Sequence, residues 1–198
     1  MDDGHPVLVR SSMTPGWRRV AASSVDYGIV VAYLGVLGVV GTLGRAAGLL
    51  PTRITTPGGR ILAQLVVIAV LTVPVTLWFA WWEAAPRGAT PGKRLLGLRV
   101  RRLAGGGLSW PGSLLRSSAK IAVPWELAHT GVWNSLVWPG PDAVVNIVLF
   151  TVANGVLVLN VVMLFVGARR PLYDRLADTV VQVVLAAQHP GTSTTRPN

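Results

Sequence analysis

The sequence predicts an all-α polytopic membrane protein in which a four-helix transmembrane bundle carries a small β-hairpin element on its cytoplasmic side. Of the 198 residues, 51% are apolar and only 13% are charged, whereas a water-soluble domain usually carries about a quarter charged residues. Several uncharged runs approach the length that a bilayer requires, and the cations lie in clusters beside these runs. A chain with this composition and pattern is solvated largely by lipid.

Three runs without a charged residue predict spanning helices, because a helix needs about 20 apolar residues to cross the hydrocarbon core. They cover residues 27–44, 61–82 and 143–168. A fourth run, 121–138, contains Glu126 and His129, and its hydropathy alone fits either a spanning or an interfacial helix. We predict four spans, near 23–44, 61–82, 118–138 and 143–167.

The positions of the 18 Lys and Arg residues favour four crossings over three. With four crossings, fifteen cations lie on the side that holds both termini and three lie on the other. With three crossings, the cations near the C-terminus fall on the side opposite to the N-terminus. Because cytoplasmic loops are enriched in Lys and Arg, this division predicts a multi-pass protein of the inner (plasma) membrane with both termini in the cytoplasm.

The remaining segments define the predicted domain organisation. Residues 1–16 form a cytoplasmic N-terminal segment and residues 17–187 form the transmembrane domain, within which 83–117 is a cytoplasmic insert. Residues 188–198 are polar, and we predict that they form a disordered tail.

The insert contains the pattern of a short β-hairpin. Leu98 to Leu103 is strand-like, the three glycines at 105–107 predict a turn, and Leu108 to Trp110 is the candidate return strand. The stretch TVVQVVL at 179–185 is rich in β-branched residues and would add a third strand from the same side of the membrane.

One stretch of the insert carries a family resemblance. Residues 88–100 read GATPGKRLLGLRV and residues 173–179 read YDRLADT. These motifs resemble the signature of the RDD family of small membrane proteins, named for one arginine and two aspartates. The residues that match are Arg19, Asp26, Thr90, Pro91, Gly92, Lys93, Arg94, Arg116 and Asp174. The resemblance extends from Trp17 to about Val184, and a histidine is more usual at Tyr173. It implies an integral membrane protein, with ion transport proposed for some members.

Arg19 and Asp26 lie seven residues apart and therefore share one helical face. A carboxylate inside the bilayer is costly unless it finds a partner. We expect Asp26 to lie within salt-bridge reach of a cation, either Arg19, Arg116, Lys120 or Arg175. Such a pair could fix helix packing or handle a proton or cation.

Glu126 and His129 lie three residues apart, a spacing found in proton relays and in carboxylate-bridged metal sites. A di-metal bundle needs a second such motif, so we predict no metal site, and an interfacial helix would simply expose both groups to water. The chain lacks Cys, a phosphate-binding loop and the common hydrolase motifs, so we predict neither an enzyme nor a cofactor.

Two classes of function follow. The first is a small cation or proton transporter, or a transporter subunit, that uses Asp26 with Glu126 and His129. The alternative is a non-transporting accessory or scaffold protein that docks a membrane-protein partner or anionic lipid through its basic cytoplasmic face, and a homo-oligomer is compatible with both. We predict that this face is built from the basic motif Thr90–Arg94 and the following cations: Lys93, Arg94, Arg99, Arg101 and Arg102. The Lys and Arg residues that give the chain its net charge of +10 lie beside apolar spans. This position predicts anionic lipid rather than nucleic acid as their binding partner.

Overall fold

The computed structural model describes residues 14–51, 56–137 and 143–184, and these residues are mostly helical. The predicted tail, 188–198, and nearly all of the N-terminal segment lie outside the described residues. In chain order the elements are α1 Gly16–Ala46, α2 Pro57–Ala84, α3 Pro91–Leu95, β1 Leu98–Arg102, α4 over 110–137, α5 Ala143–Val162, α6 Leu172–Leu176 and β2 Thr179–Val183.

Within the described ranges, three helices are long and apolar enough to cross a membrane: α1, α2 and α5. They correspond to three of the four predicted spans. Helix α4 covers the fourth predicted span, 118–138, as far as Val137, where the described residues end, but its interior carries Lys120, Glu126 and His129, which lower its apolar character. Length and composition therefore support membrane insertion of three helices.

Helices α2 and α4 each contain one wide, π-helical turn, at Ile68–Thr72 and Ser118–Ala122. In both helices a proline, Pro74 or Pro124, follows the wide turn by two residues. Proline has no N–H to donate and its ring crowds the carbonyl of the preceding turn, which accounts for the wide turn on its N-terminal side.

The strands form a two-stranded antiparallel sheet in which Val100 of β1 lies opposite Val181 of β2. The predicted hairpin within the insert is therefore wrong, and the stretch expected to add a third strand is the partner of β1. Residues 108–110 do not return as a strand because Ser109 caps α4, its hydroxyl accepting a hydrogen bond from the N–H of Gly112, and Pro111 suits the first turn.

The buried residues of α1 lie in its first turns and end at Asp26. From Tyr27 to Ala46, twenty residues span about 30 Å, the thickness of the hydrocarbon core. The first eleven residues of α1, Gly16 to Asp26, therefore belong to a compact region rich in buried charges, which we call the charged end. It also contains the last turn of α2, the first turns of α4, α3, α6 and the sheet.

Two apolar clusters support this arrangement. The first cluster lies in the charged end and contains buried side chains of both strands together with their neighbours: Ala22, Leu98, Val100, Leu108 and Val181. Val75, Phe79 and Ile121 form a second cluster between α2 and α4, on the membrane side of the first.

Candidate functional site

Arg116 lies at the centre of a buried ion network in the charged end. Its side chain is only 1% exposed. Its Nη1 donates to Glu83 of α2, while Nη2 and Nε lie 2.7 and 2.8 Å from Oδ1 of Asp174 in α6. One guanidinium therefore joins α2, α4 and α6.

The network continues through two further cations. Arg19 of α1 pairs with the second oxygen of Asp174 and donates to the carbonyl of Arg169 at 2.7 Å. Lys93 of α3 pairs with Glu83. Because each acid accepts from two cations, removal of either acid would leave buried positive charges uncompensated, a loss that typically costs about 3–5 kcal/mol.

The ionisation of the groups outside the spans follows from this geometry. Burial alone would raise the pKa of Asp174, but the guanidinium groups of Arg116 and Arg19 outweigh it and hold that pKa below its usual range. Burial lowers the pKa of Lys93, and the attraction of Glu83 compensates only in part. Burial, with the charge of Asp174 adding to it, raises the pKa of Tyr173 to about 12.

Asp26 is fully buried, but the salt bridges of the described residues do not include it. Its Oδ2 accepts from the hydroxyl of Thr90 at 2.6 Å, and its Oδ1 accepts from the backbone N–H of Gly92 at 2.8 Å. The predicted salt bridge of Asp26 is therefore wrong. The carboxylate binds the first turn of α3 instead, because α3 packs against α1 at this level and covers it.

The motif Thr90–Arg94 supplies this contact. Pro91 starts α3, and Gly92 lies so close to α1 that an added Cβ would stand 2.1 Å from the carbonyl oxygen of Ala22. Arg94 stacks over Trp82 at 4.2 Å and donates to the carbonyl of Ala89. Lys93 is buried against Glu83, so the motif fastens the insert to the bundle and is not an open basic surface.

Glu126 and His129 belong to a second polar cluster, between α2 and α4. Gln64 Nε2 donates to Glu126 Oε2 at 3.2 Å and lies 3.3 Å from His129 Nδ1. Thr72, in the wide turn of α2, donates to the other oxygen of Glu126. The His129 ring stacks between two tryptophans, Trp125 and Trp133.

The two polar clusters are separated along the bundle. Arg116 and Glu126 are ten residues apart on α4, a rise of about 15 Å. The apolar side chains of Val75, Phe79 and Ile121 lie between them. Across the described ranges, no group of three His, Cys, Asp or Glu side chains could hold a metal ion.

Glu83 is the site residue that the sequence analysis missed. It stands at the end of an apolar run and was assigned to the edge of the insert. One signal could have found it: it is the sole acid among eight cations between residues 83 and 120. Lys120 appeared only as a candidate partner of Asp26.

The fold and this network define a helical membrane protein whose helix ends are joined by buried ion pairs. The model for the RDD family matches residues 13–178, which is most of the chain. The chain therefore belongs to the RDD family, and the resemblance seen in its motifs is confirmed. Comparison with curated proteins and with solved structures gave no match.

Proposed function

We propose that this chain is a non-transporting accessory protein of the plasma membrane, which docks an acidic partner protein on its charged end. In this proposal α4 is a fourth crossing, both termini are cytoplasmic, and the charged end faces the cytoplasm. The observation that carries the proposal is the separation of the acids. Asp26 and Glu126 each have their own hydrogen-bond donors in different layers of the bundle, rather than lining one polar path.

The sheet supplies the proposed docking surface. Arg99 and Arg101 alternate with the buried residues of β1 and lie opposite Gln182 and Val180 of β2. Arg102, at the end of the strand, is exposed. These three arginines form no salt bridge with the described acids. Arg99 and Arg101 are half-buried, and the Nε of Arg99 is shielded from solvent, so Arg102 offers the most accessible charge to an acidic surface.

The charge division supports the orientation. Fifteen cations on the proposed cytoplasmic side and three on the other follow the positive-inside pattern. Since the chain has no cysteine, single-cysteine variants report topology directly. Asp142→Cys should react with an impermeant maleimide from outside whole cells, and a cysteine appended at the C-terminus should not. Labelling of the C-terminal cysteine from outside would overturn the four-crossing arrangement.

Affinity purification in mild detergent tests the docking role. We expect a stoichiometric protein to copurify with the wild-type chain and to be lost from the triple variant Arg99→Gln, Arg101→Gln, Arg102→Gln. The matched control removes the three cations of the other side, as Arg45→Gln, Arg53→Gln and Arg60→Gln, and should retain the partner. Equal recovery in all three samples, or recovery of lipid alone, would contradict the proposal.

One observation favours a transporter as the second candidate. Glu126 and His129 lie in the bundle beside the wide turn of α2, and wide turns occur often at functional sites. Proton-coupled uptake by vesicles reconstituted with the purified protein would support this role, provided that Glu126→Gln abolishes the uptake and leaves the thermal unfolding midpoint unchanged.

A further inference from the structure

Lys120 is half-buried and has a different environment from the three cations that are buried in the charged end, Arg19, Lys93 and Arg116. The described residues provide neither a salt bridge nor a hydrogen bond for its ammonium group. Its Nζ lies 4.7 Å from the ring centre of Phe79 and 5.9 Å from those of Tyr27 and Tyr173. Aromatic faces attract a cation but do not neutralise its charge.

The charge balance around Lys120 leaves one positive charge in excess. Three acids, Asp26, Glu83 and Asp174, face four cations in this region: Arg19, Lys93, Arg116 and Lys120. The salt bridges of Glu83 and Asp174 are occupied by the first three of these cations, and Asp26 is held by α3. The described residues therefore give Lys120 no carboxylate of its own, and an anion from outside them would compensate its charge.

A cavity of about 210 Å³ opens beside Lys120, between α1, α4 and α5. Its polar lining includes Ser23, Tyr27 and Tyr173. No hydrogen bond within the described part of the chain engages the hydroxyl groups of these three residues. The cavity thus combines a cation with three hydroxyl donors, which is the donor set that a phosphate oxygen requires.

The remainder of the crevice is largely apolar, with Asn154 as its polar side chain. A second cavity of about 330 Å³ shares Lys120, Tyr27 and Leu157 with the first and continues along α4 and α5 to Trp125 and Ala153. Tyr27 begins the lipid-length part of α1, so Lys120 lies at the level of the headgroups in the proposed orientation. The crevice is therefore polar at headgroup depth and apolar at acyl-chain depth.

We propose that this crevice is a specific site for one anionic phospholipid, whose phosphate binds Lys120 and whose acyl chain lies between α4 and α5. Basic pockets between transmembrane helices suit such headgroups, and the apolar walls exclude a small hydrophilic anion as the main occupant. The site depends on the membrane placement of α4 and not on the docking of a partner at the sheet.

Native mass spectrometry of the detergent-purified chain tests the site, with phosphatidylglycerol as the probe and phosphatidylcholine as the zwitterionic comparison. We expect the wild-type chain to retain one phosphatidylglycerol at least about tenfold more tightly than phosphatidylcholine, and Lys120→Met to lose this preference. Arg45→Gln, which removes one cation near the other end of α1, is the control and should bind as the wild type does. Equal binding of the two lipids by the wild type, or an unchanged preference in Lys120→Met, would overturn the proposal.

A second variant separates loss of the site from loss of the fold. Leu157→Trp keeps Lys120 and fills the apolar part of the crevice, so it should also lose phosphatidylglycerol while keeping the unfolding midpoint of the wild type. Inorganic phosphate distinguishes a headgroup site from a free-phosphate site. Millimolar phosphate should not displace the lipid, and its displacement would show that the crevice binds phosphate without the lipid.

Discussion

Asp174 divides its two carboxylate oxygens between two arginines from different helices. Oδ1 accepts from Arg116, whose Nη2 lies 2.7 Å away, and Oδ2 pairs with Arg19. The pairs connect α6, near the end of the described chain, with α1 at its beginning and with α4. A single carboxylate therefore holds three helices of the charged end together.

Substitution of Asp174 by Asn should destabilise the protein strongly. The change leaves Arg116 and Arg19 buried with one fewer negative charge, and we expect a loss of about 3–5 kcal/mol in the free energy of unfolding. The matched control is Asp178→Asn. Asp178 is 66% exposed and pairs with Arg170 at the surface, so its loss should cost less than about 1 kcal/mol. Thermal unfolding in detergent compares the two, and equal midpoints would contradict a stabilising network.

Stability should fall at acidic pH through the same carboxylate. Because the folded-state pKa of Asp174 lies below its unfolded value, the unfolded chain binds the proton more tightly. The stabilisation is therefore complete above the unfolded value of about 3.9 and is lost as pH falls through the folded value. Unfolding midpoints measured from pH 6 downwards should decline less steeply in Asp174→Asn than in the wild type, and parallel declines would refute this assignment.

Gly92→Ala should displace the insert from α1. The new Cβ would stand 2.1 Å from the backbone oxygen of Ala22 and 2.9 Å from Oδ1 of Asp26, and backbone cannot move aside as a flexible side chain can. We expect a lowered unfolding midpoint and new protease cleavage within the insert. Gly107→Ala serves as the control, because its Cβ would meet no atom within 4 Å. A stable, protease-resistant Gly92→Ala chain would show that the contact is looser than described.

Asp26→Asn should have a smaller effect than Asp174→Asn. An asparagine still accepts the N–H of Gly92 through its amide oxygen, but it loses the acceptor for Thr90. We expect a partial loss of about 1–3 kcal/mol, the cost of a buried hydroxyl deprived of its partner. If Asp26 instead carries a proton during transport, the variant will unfold like the wild type and lose ion-coupled uptake.

The two polar clusters should behave as independent units. Glu83→Gln and Glu126→Gln lie in layers separated by apolar side chains, so their effects on unfolding should add to within about 0.5 kcal/mol. The double variant Glu83→Gln, Asp174→Asn should depart from additivity, because both acids pair with Arg116. Coupling between Glu83 and Glu126 of the same size would indicate one connected polar path, as the transporter hypothesis requires.

The parts of this fold that follow from local chemistry could be predicted from the sequence. Uncharged runs of bilayer length identified α1, α2 and α5, and the β-branched stretch at 179–185 identified the strand Thr179–Val183. The pairing of the strands could not be predicted this way, since it joins residues about 80 positions apart and a glycine turn next to β1 suggested a nearer partner.

In the candidate site, too, local features could be predicted from the sequence and tertiary contacts could not. Most of its ionisable residues were found because charges beside apolar runs are conspicuous, whereas Glu83 and the pairing of these residues with one another were not. We predicted a cation as the partner of Asp26 because a buried carboxylate needs a partner. A backbone N–H and a hydroxyl can also meet that need, as Gly92 and Thr90 do here. Only the tertiary arrangement, in which α3 packs on α1, determines which donors reach the carboxylate.

The antiparallel pairing of β1 with β2 imposes an order on biosynthesis. When the ribosome has completed β1 and α4, Leu98 and Val100 have no strand to cover them, and Arg116 has Glu83 but not Asp174. The charged end can close only after α5 has emerged and residues 172–183 have followed it on the same side. The last long helix must therefore be complete before Asp174 can pair with Arg19 of the first one, and a chain truncated before Asp174 would leave Arg19 and Arg116 without this carboxylate.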